Sequence, residues 1–424
     1  MASGPTPQPY VDVRMRGFSS RVPWSDAVAW VDRQAIPLCD LACETVGLLE
    51  ASGRVLCDDV VSNVQSPAYR KSMMDGFALR SSEVRHAAEN SPISLAEVGI
   101  ALPGTPFDGA APPASVLRVM TGAPVPQAYD AVVPVEHVRV CDDAIEITAP
   151  VPAGKHIGQP GDDVERGDVV LSAGRRLRPQ DVGVLSSIGV AKLSVVRRPR
   201  VAIIVTGDEL LPPGSAPRDY RFPDANGPML AALVARDGGE LVSLERIADQ
   251  RETLAAAMHL PCDVLLISGG SSVGQEDHAP SLLAEIGSLD IHGVAMRPGS
   301  PVGMGRIGET TAFLLPGNPV SCLCGYDFFA GRCLRQRGGL PLNWPYRRVQ
   351  AKLGREVVSQ AGRVDYARAT LHCGVVEPLA ISGSSILTST TRADGFFIVP
   401  ADASQLDSGA EVDFWEYAPR ACHR

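Results

Sequence analysis

The sequence predicts a multi-domain α/β plus β protein: a central doubly wound α/β domain, a small β-rich domain before it, and a β-barrel or sandwich after it. Three observations carry that prediction. Residues 201–210 (VAIIVTGDEL), 264–277 (VLLISGGSSVGQED) and 312–319 (AFLLPGNP) each run apolar and then stop abruptly in Gly, Pro or carboxylates. Each run is too short for a core helix and lacks alternation, so it reads as a strand buried on both faces of a parallel sheet. Around them, residues 200–339 alternate strand, loop and helix, whereas residues 62–147 and those beyond Trp344 are short β-runs broken by turn formers. A chain of 424 residues also exceeds one ordinary core and divides into two to four domains.

Taken in order, residues 1–20 are rich in Pro, Ser and Gly and read as a disordered leader without the apolar segment of a secretory signal. Val22, Trp24, Ala27, Val28 and Val31 give residues 22–35 helical periodicity, with Ser20 or Ser25 as a cap. Residues 40–61 mix a short helix with a strand, and 115–120 and 131–135 are the clearest strands of the β-rich region. Residues 151–174 are turn-dense and acidic, and 178–189 read as a helix opened by Pro179. The central domain adds helices at 228–236, 253–259 and from Pro319 to about Arg337, the first and last closed by Gly pairs. Strands at 349–353, 364–371, 396–399 and 411–416 follow.

Composition narrows the function classes. The net charge of −9, from 39 basic and 48 acidic residues, gives no bulk attraction to nucleic acid or anionic membrane. Aromatics at 5% argue against stacking platforms for single strands. No apolar run reaches membrane-spanning length. Ten scattered cysteines without zinc-knuckle spacing read as reduced thiols of a cytosolic protein.

The loops after the apolar runs are the candidate site, because ligands of parallel sheets gather at the carboxyl ends of the strands. In Thr206–Gly207–Asp208–Glu209, the glycine allows a tight turn that sets Asp208 and Glu209 where the strand hands over to a loop, and a carboxylate there can hold Mg²⁺ against substrate phosphates; a plain loop-capping pair is the alternative. Ser268, Gly269 and Gly270 open a nest of backbone N–H groups suited to an oxyanion, with Asp277 beyond it as a second carboxylate or a helix cap. In Pro316–Gly317–Asn318–Pro319, Gly317 permits close approach and Asn318 can cap the helix that Pro319 starts. Asp75–Gly76, Thr121–Gly122 and Asp162–Asp163 are turn formers by default.

Taken together, SMMDGFA, RVMTGAPVP, the GDD at 161–163, IIVTGDEL, the DAN at 224–226, SGGSSVG, AMRPGSP, LPGNPVS and the closing ADGFFIVP resemble the molybdopterin molybdenumtransferases, the family of bacterial MoeA, the plant molybdenum insertase E domain and the gephyrin E domain. The resemblance spans residues 24–417 and its motif order is specific. It implies an elongated N-terminal domain (21–62 and 148–196), an inserted β-rich lid (63–147), a molybdopterin-binding α/β domain (197–339) and a C-terminal small β-barrel (340–424), assembled as a homodimer. The implied reaction joins molybdate to the dithiolene of adenylylated molybdopterin, with Mg²⁺-dependent release of AMP, in the cytoplasm.

Residue by residue, the resemblance makes Asp75, Thr121, Asp162 and Asp208 catalytic, and Asp208 and Asp277 metal-holding. It gives Thr206, Gly207, Ser268, Gly269, Gly270, Pro316, Gly317 and Asn318 to the nucleotide, and Arg297, Ser300, Arg368 and Ser384 to molybdate. The chain departs from the family pattern at Arg297–Pro298–Gly299–Ser300–Pro301, where the family usually reads K-P-G-K-P, at Pro280 in place of a lysine, at Arg70–Lys71, and at Asp162 in place of a glutamate. Those departures keep open an alternative: a paralogue that binds a pterin nucleotide without inserting metal, or a scaffold.

Overall fold

In a computed structural model of the chain, the described residues are 18, 20–271, 277–381 and 383–418. Most of the expected leader, and residues 272–274 at the end of SGGSSVG, lie outside them. The chain forms two compact units: Met1–Cys43 with Val196–Arg424, and Glu44–Val195.

The first unit is built on a six-stranded sheet. Its strands are β1 (Arg200–Thr206), β2 (Glu240–Ile247), β3 (Val264–Ser268), β4 (Ser288–His292), β5 (Gly303–Ile307) and β6 (Thr310–Leu315), in the spatial order β2-β1-β3-β6-β5-β4. The three apolar runs are therefore adjacent parallel strands, as expected, with β2 parallel on their outer edge. The far edge departs from the all-parallel reading. β5 joins β6 through the two-residue loop Gly308–Glu309, and β5 and β4 run antiparallel. Gly308 at φ +57 supplies the left-handed backbone such a hairpin needs.

Alternate side chains of each central strand enter opposite layers, which is why the runs carry no polar positions. Val201, Ile203, Val205, Leu266 and Phe313 pack with helices α1 (Trp24–Asp32), α2 (Asn226–Arg236), α5 (Pro319–Gly325) and α6 (Gly331–Arg337). Ala202, Ile204, Leu265, Ile267 and Leu314 pack with α3 (Arg251–Ala257) and α4 (Ala279–Ile286). Neither Ser20 nor Ser25 caps α1, which starts directly after Pro23.

The single helix expected from Pro319 to Arg337 is interrupted by a π turn at Tyr326–Ala330. There Asp327 is fully buried, its carbonyl oxygen accepts the Trp344 indole N–H at 2.8 Å, and its carboxylate pairs with Arg236 at 3.0 Å. The widened turn exposes that carbonyl to a partner outside the helix.

Beyond Trp344, β7 (Arg347–Leu353), β8 (Val364–His372), β9 (Val375–Ala380), β10 (Gly395–Val399) and β11 (Glu411–Glu416) pair in the cycle β8-β9-β7-β11-β10-β8. The cycle closes a five-stranded barrel, deciding barrel over sandwich, around Leu353, Ala367, Phe397 and Phe414. A two-residue strand, Met296–Arg297, pairs parallel with β8, placing Arg297 opposite Asp365 and tying the AMRPGSP loop to the barrel.

The second unit carries a six-stranded sheet with Ser115–Val119 and Ile93–Ala101 at its centre and Gly76–Leu79 beside the former. Phe77, Val116 and Val133 face one core, and Ala78, Leu117 and Val132 another. The rest of the unit packs separately around Leu56, Leu177, Leu185 and Val195. Cys57 is disulfide-bonded, unlike the reduced thiols expected, whereas among the described residues Cys39, Cys141, Cys262, Cys322, Cys324, Cys333 and Cys373 are free. Among the described residues, no helix is long and apolar enough to cross a membrane.

Candidate functional site

The carboxyl ends of β1, β3 and β6 open onto a cavity of about 520 Å³, lined by Thr206, Gly207, Ser268, Gly269, Gly270, Asp277, Gly317 and Asn318 among others. All three predicted loops thus meet at one place. The contact is close because side chains are missing where loops cross. A Cβ on Gly269 would stand 2.2 Å from the Thr206 carbonyl oxygen, and Gly269 also adopts φ +98. Its own amide donates to Leu315 O at 3.2 Å, so this expected phosphate donor belongs to the sheet.

Two residues missed by reading the loops alone hold the cavity together. Asn226, at the start of α2, donates from Nδ2 to Ser268 Oγ at 2.9 Å and to Gly317 O at 2.7 Å, joining two of the three loops. Its Oδ1 and the Oδ2 of Asp224 are buried acceptors without a partner among the described residues, in the wall of the same cavity. Both side chains are about 5% exposed or less (4% for Asp224, 5% for Asn226), so each acceptor carries a desolvation cost that a ligand donor would relieve. Their only sequence signal was the DAN string.

The carboxylates gather at the mouth. Asp208 is exposed and accepts the Asp249 amide N–H at 3.2 Å, while the Thr206 hydroxyl donates to Asp249 Oδ1 at 3.2 Å. Burial raises the Asp249 pKa; Asp277 and Asp208 push it further up, against the Thr206 hydrogen bond and His278. Asp249 was not expected. It sits between β2 and α3 in a stretch that reads as a turn. Among the described residues, no three His, Cys, Asp or Glu side chains converge to hold a metal by themselves.

A second cavity, of about 720 Å³, shares Gly317 and Asn318 with the first, so the PGNP loop forms a common wall. Asn318 occupies the N-cap position of α5, but its side chain makes no capping hydrogen bond. Arg297, Ser300 and Ser384 line this cavity, as do Arg21 and Arg363, which were not expected. Arg297 is engaged as a bidentate pair with the fully buried Asp365, through Nε at 3.1 Å to Oδ1 and Nη2 to Oδ2. Arg368 does not join them: it is fully buried on β8, whose side chains are enclosed on both faces.

Asp75, Thr121 and Asp162 lie in the second unit, all exposed. Asp75 Oδ1 accepts both the amide (2.7 Å) and the hydroxyl (2.8 Å) of Thr121, which hold its carboxyl below the ordinary carboxylate range. Asp162 accepts the Gln159 amide at 2.6 Å, in a turn that follows the pairing of Gly158 with Lys71. Asp75 and Thr121 are therefore in contact, whereas the Asp162 turn docks on Pro67, whose carbonyl oxygen accepts the Gly161 amide at 3.1 Å.

A central three-layer α/β domain followed by a closed barrel and preceded by a β-rich unit defines a MoeA-type architecture. The chain matches the MoeA N-terminal region (domain I and II) over residues 22–189, the probable molybdopterin binding domain over 202–336 and the MoeA C-terminal region (domain IV) over 350–417. It is 34% identical over 388 residues to molybdopterin molybdenumtransferase 2 of Mycobacterium tuberculosis, covering 88% of this chain and 94% of that protein. It is 27% identical over 378 residues to the molybdopterin molybdenumtransferase of Haemophilus influenzae, covering 87% and 92%. The crystal structure of the molybdopterin biosynthesis MoeA protein of Pyrococcus horikoshii superposes with a TM-score of 0.78 at 29% identity, over 94% of this chain and 100% of that one. The chain belongs to the molybdopterin molybdenumtransferase family.

Proposed function

We propose that this chain is a transferase of molybdenum cofactor biosynthesis that joins molybdate to the dithiolene of adenylylated molybdopterin and releases AMP, in the cytoplasm. The observation that carries the reading is the pair of adjoining cavities divided by Pro316–Asn318. One is lined by carboxylates and glycine-rich turns, the other by guanidinium groups and hydroxyls. A substrate with a phosphate link at one end and an oxyanion to accept at the other needs those two chemistries side by side.

Within this reading, the Gly269 and Gly317 backbones let the pyrophosphate approach the sheet edge, and the Asn226 side chain keeps their loops in register. Asp224 Oδ2 and Asn226 Oδ1 accept N–H groups of the ligand. The hard oxygen donors of Asp208, Asp277 and Asp249 fit Mg²⁺, which binds through one or two carboxylates plus substrate phosphates; this suits a set that converges on no metal by itself. When bound, Mg²⁺ supplies charge neutralisation at the pyrophosphate. Ser384, the Ser300 loop and the positive charge of Arg297, whose fork Asp365 holds, border the side that takes molybdate, with Arg368 supporting the barrel behind them. A second copy of the chain would contribute Asp75, Thr121 and Asp162 from its lid, which makes the active form a homodimer.

The test is direct. The purified protein is incubated with adenylylated molybdopterin, Mg²⁺ and molybdate, and AMP and active cofactor are measured. Molybdate-dependent AMP release is expected; its absence with all three present rejects the reading.

A further inference from the structure

The charge balance of the 720 Å³ cavity points to a binding residue outside all the motif loops. Of its three guanidinium groups, Arg297 and Arg363 converge on one buried carboxylate, Asp365. Arg21 is arranged differently. Its Nε donates to Ser300 Oγ at 2.6 Å, and among the described residues no carboxylate pairs with it. The Ser300 hydroxyl in turn donates to Val294 O at 2.9 Å, so its proton is committed and its lone pair faces Arg21.

The backbone beside Arg21 is equally fixed. The Val22 amide donates to Gly293 O at 2.9 Å, and the Ala295 amide donates to Val22 O at 2.8 Å. The Val294 amide donates to Ser300 O at 2.8 Å, closing the turn that carries the hydroxyl. Arg21 is thus laid into the cavity wall by the parallel bridge of Val22 to Val294, by the Ser300 anchor and by a cation–π contact with Phe18, whose ring centroid lies 5.7 Å from the guanidinium carbon. A guanidinium has five N–H donors. Ser300 uses one of them, which leaves the Nη donors for a ligand.

We propose that Arg21 is an oxyanion-binding residue of this cavity, seated by Ser300, and that the ligand is a tetrahedral dianion of the molybdate type. Three guanidinium groups against the single Asp365 carboxylate leave two positive charges, the complement of a dianion. Position 300, a lysine in the pattern this chain resembles, carries no charge here; its hydroxyl holds a charge that arrives from the segment before α1. The identity of the anion rests on the function proposed above, whereas the role of Arg21 in binding it does not.

The experiment is a calorimetric titration of the full chain with molybdate and, separately, with AMP. Arg21→Gln is expected to weaken molybdate binding about tenfold, the loss of a charge-assisted hydrogen bond, with AMP affinity held within about twofold. Ser300→Ala is expected to weaken it less, and Arg21→Gln combined with Ser300→Lys to regain most of the loss. Wild-type molybdate affinity in Arg21→Gln overturns the proposal. So does a parallel loss of AMP affinity, which would make Arg21 a residue of the fold and not of the anion, and so does an unaltered chain that fails to bind molybdate. An unaltered chain that binds molybdate but releases no AMP in the insertion assay defeats the functional reading and leaves the assignment of Arg21 standing.

Discussion

Replacing Asn226 tests whether the two cavities depend on one buried amide. The side chain is 5% exposed and its Nδ2 bridges Ser268 Oγ at 2.9 Å and Gly317 O at 2.7 Å. Truncation to alanine removes two buried hydrogen bonds, about 1 kcal/mol each, so about 2 kcal/mol is lost. It also removes the unpartnered Oδ1, whose desolvation cost of about 1 kcal/mol offsets part of that loss. A net destabilisation of about 1–2 kcal/mol corresponds to a fall in Tm of about 3–6 °C. Asn226→Asp should be worse, about 3 kcal/mol or more, because it sets an acceptor against the Gly317 carbonyl and adds a charge beside Asp224. The assay is thermal unfolding of both variants with and without AMP. Tm should fall in the order wild type, alanine, aspartate, and the AMP-induced shift should vanish in both variants, since the Gly317 loop is no longer held. An aspartate variant as stable as the alanine variant, or an AMP shift retained in full, refutes the reasoning.

Gly269→Ala should cost about 2 kcal/mol and abolish AMP binding, because its Cβ would meet the Thr206 carbonyl at 2.2 Å in a left-handed backbone; unfolding and titration check this. Asp249→Asn should raise Tm at neutral pH while lowering Mg²⁺-dependent AMP release. The raised pKa of Asp249 means its ionised form is disfavoured in the fold, a penalty absent below the ordinary carboxylate pKa and complete above the raised one, so the gain in Tm should shrink as pH falls through that window. Asp75 behaves in the opposite sense. Its depressed pKa stabilises the Thr121 turn above the ordinary carboxylate range, and that support is lost as pH falls through the folded pKa; Thr121→Val should raise the Asp75 pKa only part of the way, because the Thr121 backbone amide, the larger cause, remains, as read by NMR titration.

The architecture was legible where hydrophobic burial alone decides it. Val201–Val205, Leu265–Ile267 and Ala312–Leu315 had to be two-faced strands, and they are adjacent in the sheet. The edges were not legible: β2 is half-buried and charged along its length, and β5 (GMGRI) has two glycines in five residues. The meeting of the TGDE, SGG and PGNP loops followed from strand direction. What sequence spacing could not supply was the partner of each polar group. Arg297 reads as a ready anion ligand, but Asp365, 68 positions along the chain, already holds its fork. Arg368, given to molybdate by the resemblance, is fully buried in its strand. Arg21, Asn226 and Asp249 gain their meaning only from loops that folding brings beside them.

An anomalous-scattering map of crystals soaked with molybdate and AMP bears most directly on the division of labour across Pro316–Asn318. A molybdenum peak beside Arg21, Ser300 and Ser384, with the nucleotide phosphate on the Gly269 side of the loop, is the expected result. Molybdenum among the carboxylates of Asp208 and Asp277, or both ligands on one side, would contradict it.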